Sequence, residues 1–318
     1  MYFPYLRGRQ YELLALRELV TNSLLGDSVI PVVEPVRLSS TLVKLMAEFI
    51  EAKKGIAIIR NPAVGTFMSE LKTAQENSKE AVYKQRFTEQ YKNEFIIKSL
   101  IMKADANTFL GFWEDQGLNN SDILIVNTDR DFIDLYEKKF KSTVPKYTLM
   151  PDESVFRRKI RENKVLLDDK FEKQQRNVDY QKLEDEFFSD DHLYYREDGY
   201  EGFSDYSVVG NEYFEKGFAP YAIAIHIVYF ASDKTLRVKH FVSDSNEDIT
   251  NPALKYYEAV SKLVKCYEKE SSLFENTRGL ETFLQHYHQE TYPGLGTVKK
   301  LSLMHHIEMI GKHLSRAG

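Results

Sequence analysis

Seven polar side chains stand at the ends of short apolar runs: Arg7, Glu34, Arg60, Lys103, Asn127, Asp168 and Asp169. Asp205 lies on the approach to the most strand-like stretch, Tyr221 to Phe230, and His226 lies inside it. Carboxylates mixed with guanidinium groups can bind phosphate, hold a metal or move protons. Glu34, Asp168, Asp205 and His226 are the acid–base candidates. Arg7, Arg60, Lys103 and Asn127 are the candidates for holding a ligand. Asp168 and Asp169, with Asp205 and Glu34, offer the oxygen ligands that a divalent cation takes, although their spacing singles out no particular metal. A plainer reading stands beside this one: strands must end in something polar, and opposite charges there can form a structural ion-pair network. His226 alternates with Ala222, Ala224 and Val228, opposite Ile223, Ile225 and Ile227. Its small neighbours leave space for a ligand or for a packed helix, and the histidine can equally be a satisfied buried one.

Other chemistries lack their motifs. There is no GxGxxG after the first strand, no GxxxxGK[ST], no HExxH and no GxSxG, so the phosphate loops, the zinc helix and the nucleophile elbow are not signalled. Ser204 and Ser207 therefore have no nucleophile context. His286 and His288, two apart on a predicted helix, point in different directions. The adjacent His305 and His306 have the same problem, and all four are expected to be structural or surface residues. Cys266, the single cysteine, falls in a helical pattern and reads as an inert helix residue.

The elements that must position these groups alternate. Tyr2–Leu6, Val29–Val33, Ile56–Ile59, Phe95–Met102, Asp122–Val126, Lys146–Leu149 and Lys164–Leu167 are short and apolar, as buried parallel strands are. Helical patterns follow most of them: Gln10–Leu25, a Ser39-capped stretch to Lys54, Ala106–Leu118, Arg130–Lys141 and Asp152–Asn163. Tyr221–Phe230 makes an eighth strand. Eight strands with intervening helices predict an α/β fold of the (β/α)8 TIM-like barrel type, with an open doubly wound sheet as the alternative. In that class the strand C-terminal ends carry the site, which is where the candidates above fall.

Two stretches depart from a plain barrel. Residues 169–220 form a long insertion or lid before the last strand. Between Asp179 and Asp205 ten carboxylates accompany only two cations, so this segment is more negative than the whole chain, whose net charge is −5. Seven aromatics among those acids argue against disorder and for a lid or a docking surface. After a hairpin partner at Leu236–Val242, residues 251–318 predict three helices, Pro252–Glu270, Thr277–Gln289 and Val298–Leu314, as a C-terminal extension of a single barrel-like domain spanning 1–318.

At 318 residues, 42% of them hydrophobic and with 20 Tyr and 20 Phe, the chain can bury a core without crosslinks. One cysteine fits a cytoplasmic location. The opening MYFPYLRGRQ has no basic region followed by an apolar run, and no run approaches a membrane span. The net charge disfavours broad nucleic-acid binding. Local basic clusters such as Arg157–Arg161 and Lys299-Lys300 keep a nucleic-acid contact open, with a solvated face as their plain reading.

The blocks YFPYLRGRQYELLALREL (residues 2–19), IPVVEPV (30–36) and GFSDYSVVG…PYAIAIHIVYF (202–230) resemble a bacterial and phage family, the beta-protein family of Gop–Beta type anti-phage cassettes. The resemblance spans nearly the whole chain, and its specific parts are the first and last blocks. It implies a barrel-like fold and a link to phage defence, but no reaction. Arg7, Gln10, Glu12, Glu34, Ser204, Asp205, Tyr206 and His226 fall in the matching blocks. The leading expectation is a component of a defence module that acts with a protein partner, encoded by a neighbouring gene, as sensor, regulator or effector. The alternative is a barrel hydrolase or phosphodiesterase-like enzyme on a phosphorylated or nucleotide-like ligand, with a divalent metal as its conceivable cofactor. A third reading is a nucleic-acid-binding module without catalysis.

Overall fold

A computed structural model describes residues 1–75, 78–214 and 220–317. The strands are β1 (Tyr5–Leu6), β2 (Val32–Val33), β3 (Ile56–Ile59), β4 (Ile96–Ile101), β5 (Leu124–Val126), β6 (Tyr147–Met150), β7 (Lys164–Asp168), β8 (Asp185–Ser189), β9 (Gly202–Asp205), β10 (Ala224–Phe230) and β11 (Leu236–Val242). The helices are α1 (Gln10–Thr21), α2 (Ser40–Glu51), α3 (Phe67–Thr73), α4 (Lys79–Gln90), α5 (Ala106–Asp115), α6 (Ile133–Lys139), α7 (Ser154–Lys159), α8 (Asp191–Tyr194), α9 (Pro252–Glu270), α10 (Arg278–His288) and α11 (Leu295–Ala317).

Strands β1 to β7 and then β9 form one eight-stranded parallel sheet in that order. A bridge between Tyr2 and Phe203, with Phe3 N–H donating to Phe203 O at 2.9 Å and Phe203 N–H to Met1 O at 3.0 Å, brings the two edges together as a TIM-like barrel. Gly202 permits that seam, because a Cβ there would lie 2.6 Å from Met1 O and 2.7 Å from the Phe3 ring. Alternation along the short strands sends one set of residues inward. Phe3, Tyr5, Val32, Ala57, Ile59, Ile97, Leu124, Val126, Leu149, Val165 and Leu167 fill the barrel. The other set, including Tyr2, Leu6, Val33, Ile58, Leu100, Ile125, Leu166 and Phe203, packs outward against the helices.

The barrel is the architecture expected, with one strand reassigned. Tyr221–Phe230 is not the eighth barrel strand. That place belongs to β9, paired in parallel register with β7 from Val165↔Gly202 to Asp168↔Asp205. β10 instead joins a separate antiparallel sheet in the order β10-β11-β8. The physical reason lies in the pattern. Barrel strands here are short and apolar on both faces, whereas β10 alternates and is followed by a tight turn, which suits an antiparallel hairpin. The segment between barrel strands seven and eight is thus 169–201, and it supplies β8 and α8. Of the insertion as first bounded, residues 215–219 lie outside the described residues, as does Gly318 of the C-terminal extension.

The small sheet and the C-terminal helices pack on the barrel. α9 lies on β10 and β11, and α11 lies against α1, α10 and β10. His306 of α11 sits 5.8 Å from the Tyr2 ring and 5.1 Å from Phe188. α11 therefore covers the outer face at the barrel seam, where an eighth barrel helix would stand. Two helices between β3 and β4, α3 and α4, and the edge strand β8 add to the elements read from the sequence. Among the described residues no helix is long and apolar enough to cross a membrane.

Candidate functional site

The polar ends of the barrel strands do not form one cluster. Arg7 and Glu34 do meet. Glu34 is fully buried and accepts from Tyr5 Oη at 2.7 Å, from Ala63 N–H at 2.7 Å and from the Arg7 guanidinium. Arg7 also donates to Asn211 O at 2.7 Å and lies 5.6 Å from the centres of both the Tyr5 and Tyr206 rings. This is a closed ion-pair network across the barrel mouth: a buried carboxylate with three donors is occupied by structure. Gly8 carries the chain from Arg7 to Arg9 with φ 62°, and a Cβ there would come 2.9 Å from Glu34 O. That turn sends Arg7 into the mouth and Arg9 to its outer rim.

Of the remaining candidates, Asp168 and Asp205 are register partners on β7 and β9 with Asp169 beside them, and the others are dispersed. Arg60 points outward, its Nη1 3.2 Å from Met68 Sδ and its guanidinium 5.4 Å from the Phe109 ring, and burial pulls its pKa down. Lys103 pairs with its neighbour Asp105 at 2.7 Å, and Asp105 in turn accepts from Asn61 at 2.7 Å. Asn127 is fully buried, and neither its Oδ1 nor its Nδ2 has a hydrogen-bond partner. Asp168 meets Lys170 at 2.9 Å, and Lys170 also meets Asp191 at 3.0 Å. Asp169 accepts from Asn211 N–H at 2.9 Å. Asp205 is buried and turned to the outer layer. Its Oδ1 accepts from both Tyr2 Oη at 2.8 Å and Ser207 N–H at 2.7 Å. Burial raises the Asp205 pKa from 3.8 to about 6.

Glu34, Asp168, Asp169 and Asp205 therefore do not converge as the divalent-cation ligand set drawn from the sequence. The first is tied to Arg7 and the last to Tyr2, on opposite faces of the barrel wall. Among the described residues no group of three or more His, Cys, Asp or Glu side chains is placed to hold a metal ion. His226 is likewise remote from the other three acid–base candidates, because its strand is not part of the barrel.

His226 nonetheless has the richest surroundings. Its Nδ1 lies 2.7 Å from Nδ1 of His240, and His240 Nε2 lies 2.7 Å from Glu186 Oε2. The Tyr180 and Phe171 rings pack edge-on against it at 4.7 and 5.0 Å. Burial, with His240 alongside, holds the His226 pKa well below the usual 6.5. The ring also lines a cavity of about 380 Å³ shared with Arg9, Lys173, Tyr180, Val209 and Lys299. That volume suits a small ligand.

The cavity is built from the loops after β1, β7 and β9, from the start of β10 and from the first turns of α11. Its three cations come from three of these segments, and among the described residues no carboxylate lines it. The carboxylates lie behind. Glu12, 1% exposed, accepts from Lys299 at 3.2 Å, and Glu212 meets Lys173 at 3.2 Å. Burial lowers the Lys299 pKa, Glu12 opposes this, and the charges of Arg9 and Lys173 add to the lowering. Lys299 thus lies within the field of the other two cations.

Sequence reasoning missed Arg9, Lys173 and Lys299 as one set, and Glu186 and His240 as partners of His226. One signal was present. A hairpin that pairs Phe230 with Leu236 places His226 opposite His240, so the histidine pair follows from the turn alone. The buried His305 and His306 are structural, as expected: His305 is bound to Thr277 Oγ1 and Val228 O, both at 2.7 Å, and His306 to Ser207 Oγ at 2.8 Å. Cys266 sits in α9 with its pKa raised by burial, which suits an unreactive thiol.

No protein-family model, no curated protein and no solved structure matches this chain.

Proposed function

We propose that this protein binds a phosphorylated or nucleotide-like ligand in the cavity beside the barrel seam. The observation that carries the reading is the convergence of Arg9, Lys173 and Lys299 on one cavity with no carboxylate among its described lining residues. Phosphate favours such a place, because each ammonium or guanidinium donor makes a charge-assisted hydrogen bond. The position supports it too. In barrels of this class phosphate often lies at the loops after strands seven and eight, which here are the loops after β7 and β9. The cavity also meets the start of α11, a 23-residue helix, whose positive dipole end favours an anion. Tyr180 and Phe171 in the wall offer the flat apolar faces that a base or sugar ring can pack on.

The test is isothermal titration with inorganic pyrophosphate. Wild-type protein binds, and affinity falls as salt rises. Arg9→Ala and Lys173→Ala each weaken binding about tenfold, the cost of one charge-assisted hydrogen bond of ~1.5 kcal/mol. Arg60→Ala, on the far side of the barrel wall, leaves it unchanged. Equal affinity in all three variants would sink the reading.

A role in phage defence, with a protein partner, is the context we propose on the resemblance of residues 2–19, 30–36 and 202–230 to the beta-protein family. The acidic segment supports a docking role, since Phe187 on the edge strand β8 is 53% exposed and Tyr194 is 48% exposed.

A further inference from the structure

We propose that His226 is the base of this cavity, and that His240 and Glu186 are positioning residues that set it in a single tautomer. The proposal rests on the cavity being an anion site, and it narrows the ligand to a phosphorylated molecule that also presents a proton, from a hydroxyl or a bound water, to His226.

The hydrogen-bond chain dictates the tautomer. An ionised Glu186 carboxylate only accepts, so at the 2.7 Å contact His240 Nε2 must be the donor. Burial keeps His240 below the ordinary histidine pKa, so its ring is neutral and its Nδ1 carries a lone pair. The 2.7 Å contact between the two Nδ1 atoms then requires His226 Nδ1 to carry the hydrogen. Its Nε2 is left with the lone pair, and among the described residues Nε2 makes no hydrogen bond. The ring cannot turn away, because Tyr180 and Phe171 close on it, and Tyr180 Oη is itself held by Gln174 N–H at 2.9 Å. The groups packed against His226 are therefore His240 from β11 and the two aromatic rings from the loop after β7, and the cations Arg9, Lys173 and Lys299 line the same cavity.

This is the logic of an oriented imidazole with a carboxylate behind it, extended by one histidine. When Nε2 takes a proton from the ligand's oxygen, the oxygen keeps the electron pair and His226 becomes an imidazolium. Its Nδ1–H remains bound to His240, whose Nε2–H remains bound to Glu186. The new positive charge is balanced through that chain by the carboxylate. Glu186 is half-buried at the far end, so the chain crosses the small sheet along one face, from β10 over β11 to β8. His240 also lines a second cavity of about 490 Å³, with Lys239 and Glu184.

The experiment is long-range proton–nitrogen NMR on the full chain labelled at histidine, at pH 7, followed by carbethoxylation with diethyl pyrocarbonate. The expected spectrum shows His226 protonated at Nδ1 and bare at Nε2, against the usual preference of a free imidazole. Between pH 7 and pH 5.5 the reaction rate at His226 falls by less than the roughly eightfold by which an imidazole of ordinary pKa loses its neutral form. Saturating pyrophosphate slows the reaction at His226 at least tenfold. In Glu186→Ala the tautomer preference is lost. Should that variant not fold, the wild-type spectrum decides alone. A wild-type His226 protonated at Nε2, or a folded Glu186→Ala with its tautomer unchanged, overturns the assignment. Pyrophosphate binding with the wrong tautomer counts against His226 but not against the anion site. The right tautomer without any pyrophosphate effect supports the assignment of His226 and counts against the anion reading.

Discussion

Asp205→Asn should make this protein more stable at neutral pH. Both donors that reach Asp205, Tyr2 Oη and Ser207 N–H, bond to the same oxygen, Oδ1. An asparagine keeps that oxygen and replaces Oδ2 with an amide nitrogen, so neither donor loses its acceptor. What the change removes is a buried charge. Burial raises the carboxyl from 3.8 to about 6, which is worth about 3 kcal/mol. The sign follows from proton counts. Between about pH 4 and pH 6 the folded state holds a proton that the unfolded state has released, so stability falls as pH rises through this window and levels off above it. The stabilisation by Asp205 is therefore fully present below pH 4 and lost above pH 6. Urea unfolding at pH 4.5 and pH 7.5 measures both points. The wild type loses ~2 kcal/mol more than the variant between them, and at pH 7.5 the variant is the more stable by 1–3 kcal/mol. An Asp205→Asn protein that is less stable than wild type at pH 7.5 by more than ~1 kcal/mol would refute the reasoning. It would mean that Tyr2, Ser207 and the nearby Lys170 favour the ionised carboxylate by more than its burial costs.

Two further outcomes follow from the same accounting. Glu34→Ala strands the Arg7 guanidinium, Tyr5 Oη and Ala63 N–H in a buried place and should cost about 3–5 kcal/mol in urea unfolding, yet leave pyrophosphate affinity within about twofold in the protein that remains folded; loss of binding without loss of stability would instead make Glu34 a ligand group. In cells that carry this gene with its native neighbours, phage plating should be protected by the intact locus and not by one encoding Arg9→Ala with Lys173→Ala at equal protein level; protection that survives both substitutions would separate the cavity from any defence role.

The contrast between Glu34 and His226 shows what a polar residue at a strand end can and cannot reveal. Both read as acid–base candidates. Glu34 proved to be enclosed by Tyr5, Arg7 and Ala63, and two of those three donors come from the strand and turn beside it. His226 proved to sit at a cavity wall with an oriented partner. Nothing in the spacing of charges along the chain separates these cases, because the difference lies in which groups arrive from elsewhere.

Local pattern alone determined the alternation of short apolar strands with helices, which a (β/α)8 barrel shares with an open doubly wound sheet. It also determined the hairpin of β10 with β11 and the long C-terminal helices, one of which, Pro252–Glu270, is found with the bounds expected. These are properties of neighbours: side-chain periodicity, turn residues and caps act over a few positions. Tertiary structure alone decided that the weak segment Gly202–Asp205, and not the strongly β-prone Tyr221–Phe230, closes the barrel. Parallel pairing asks for a free edge in register with β7 and for a glycine thin enough to lie on Phe3, and propensity reports neither. It decided likewise that Arg9, Lys173 and Lys299 share one cavity. They come from the beginning, the middle and the end of the chain, and only the packing of α11 across the barrel seam brings them together.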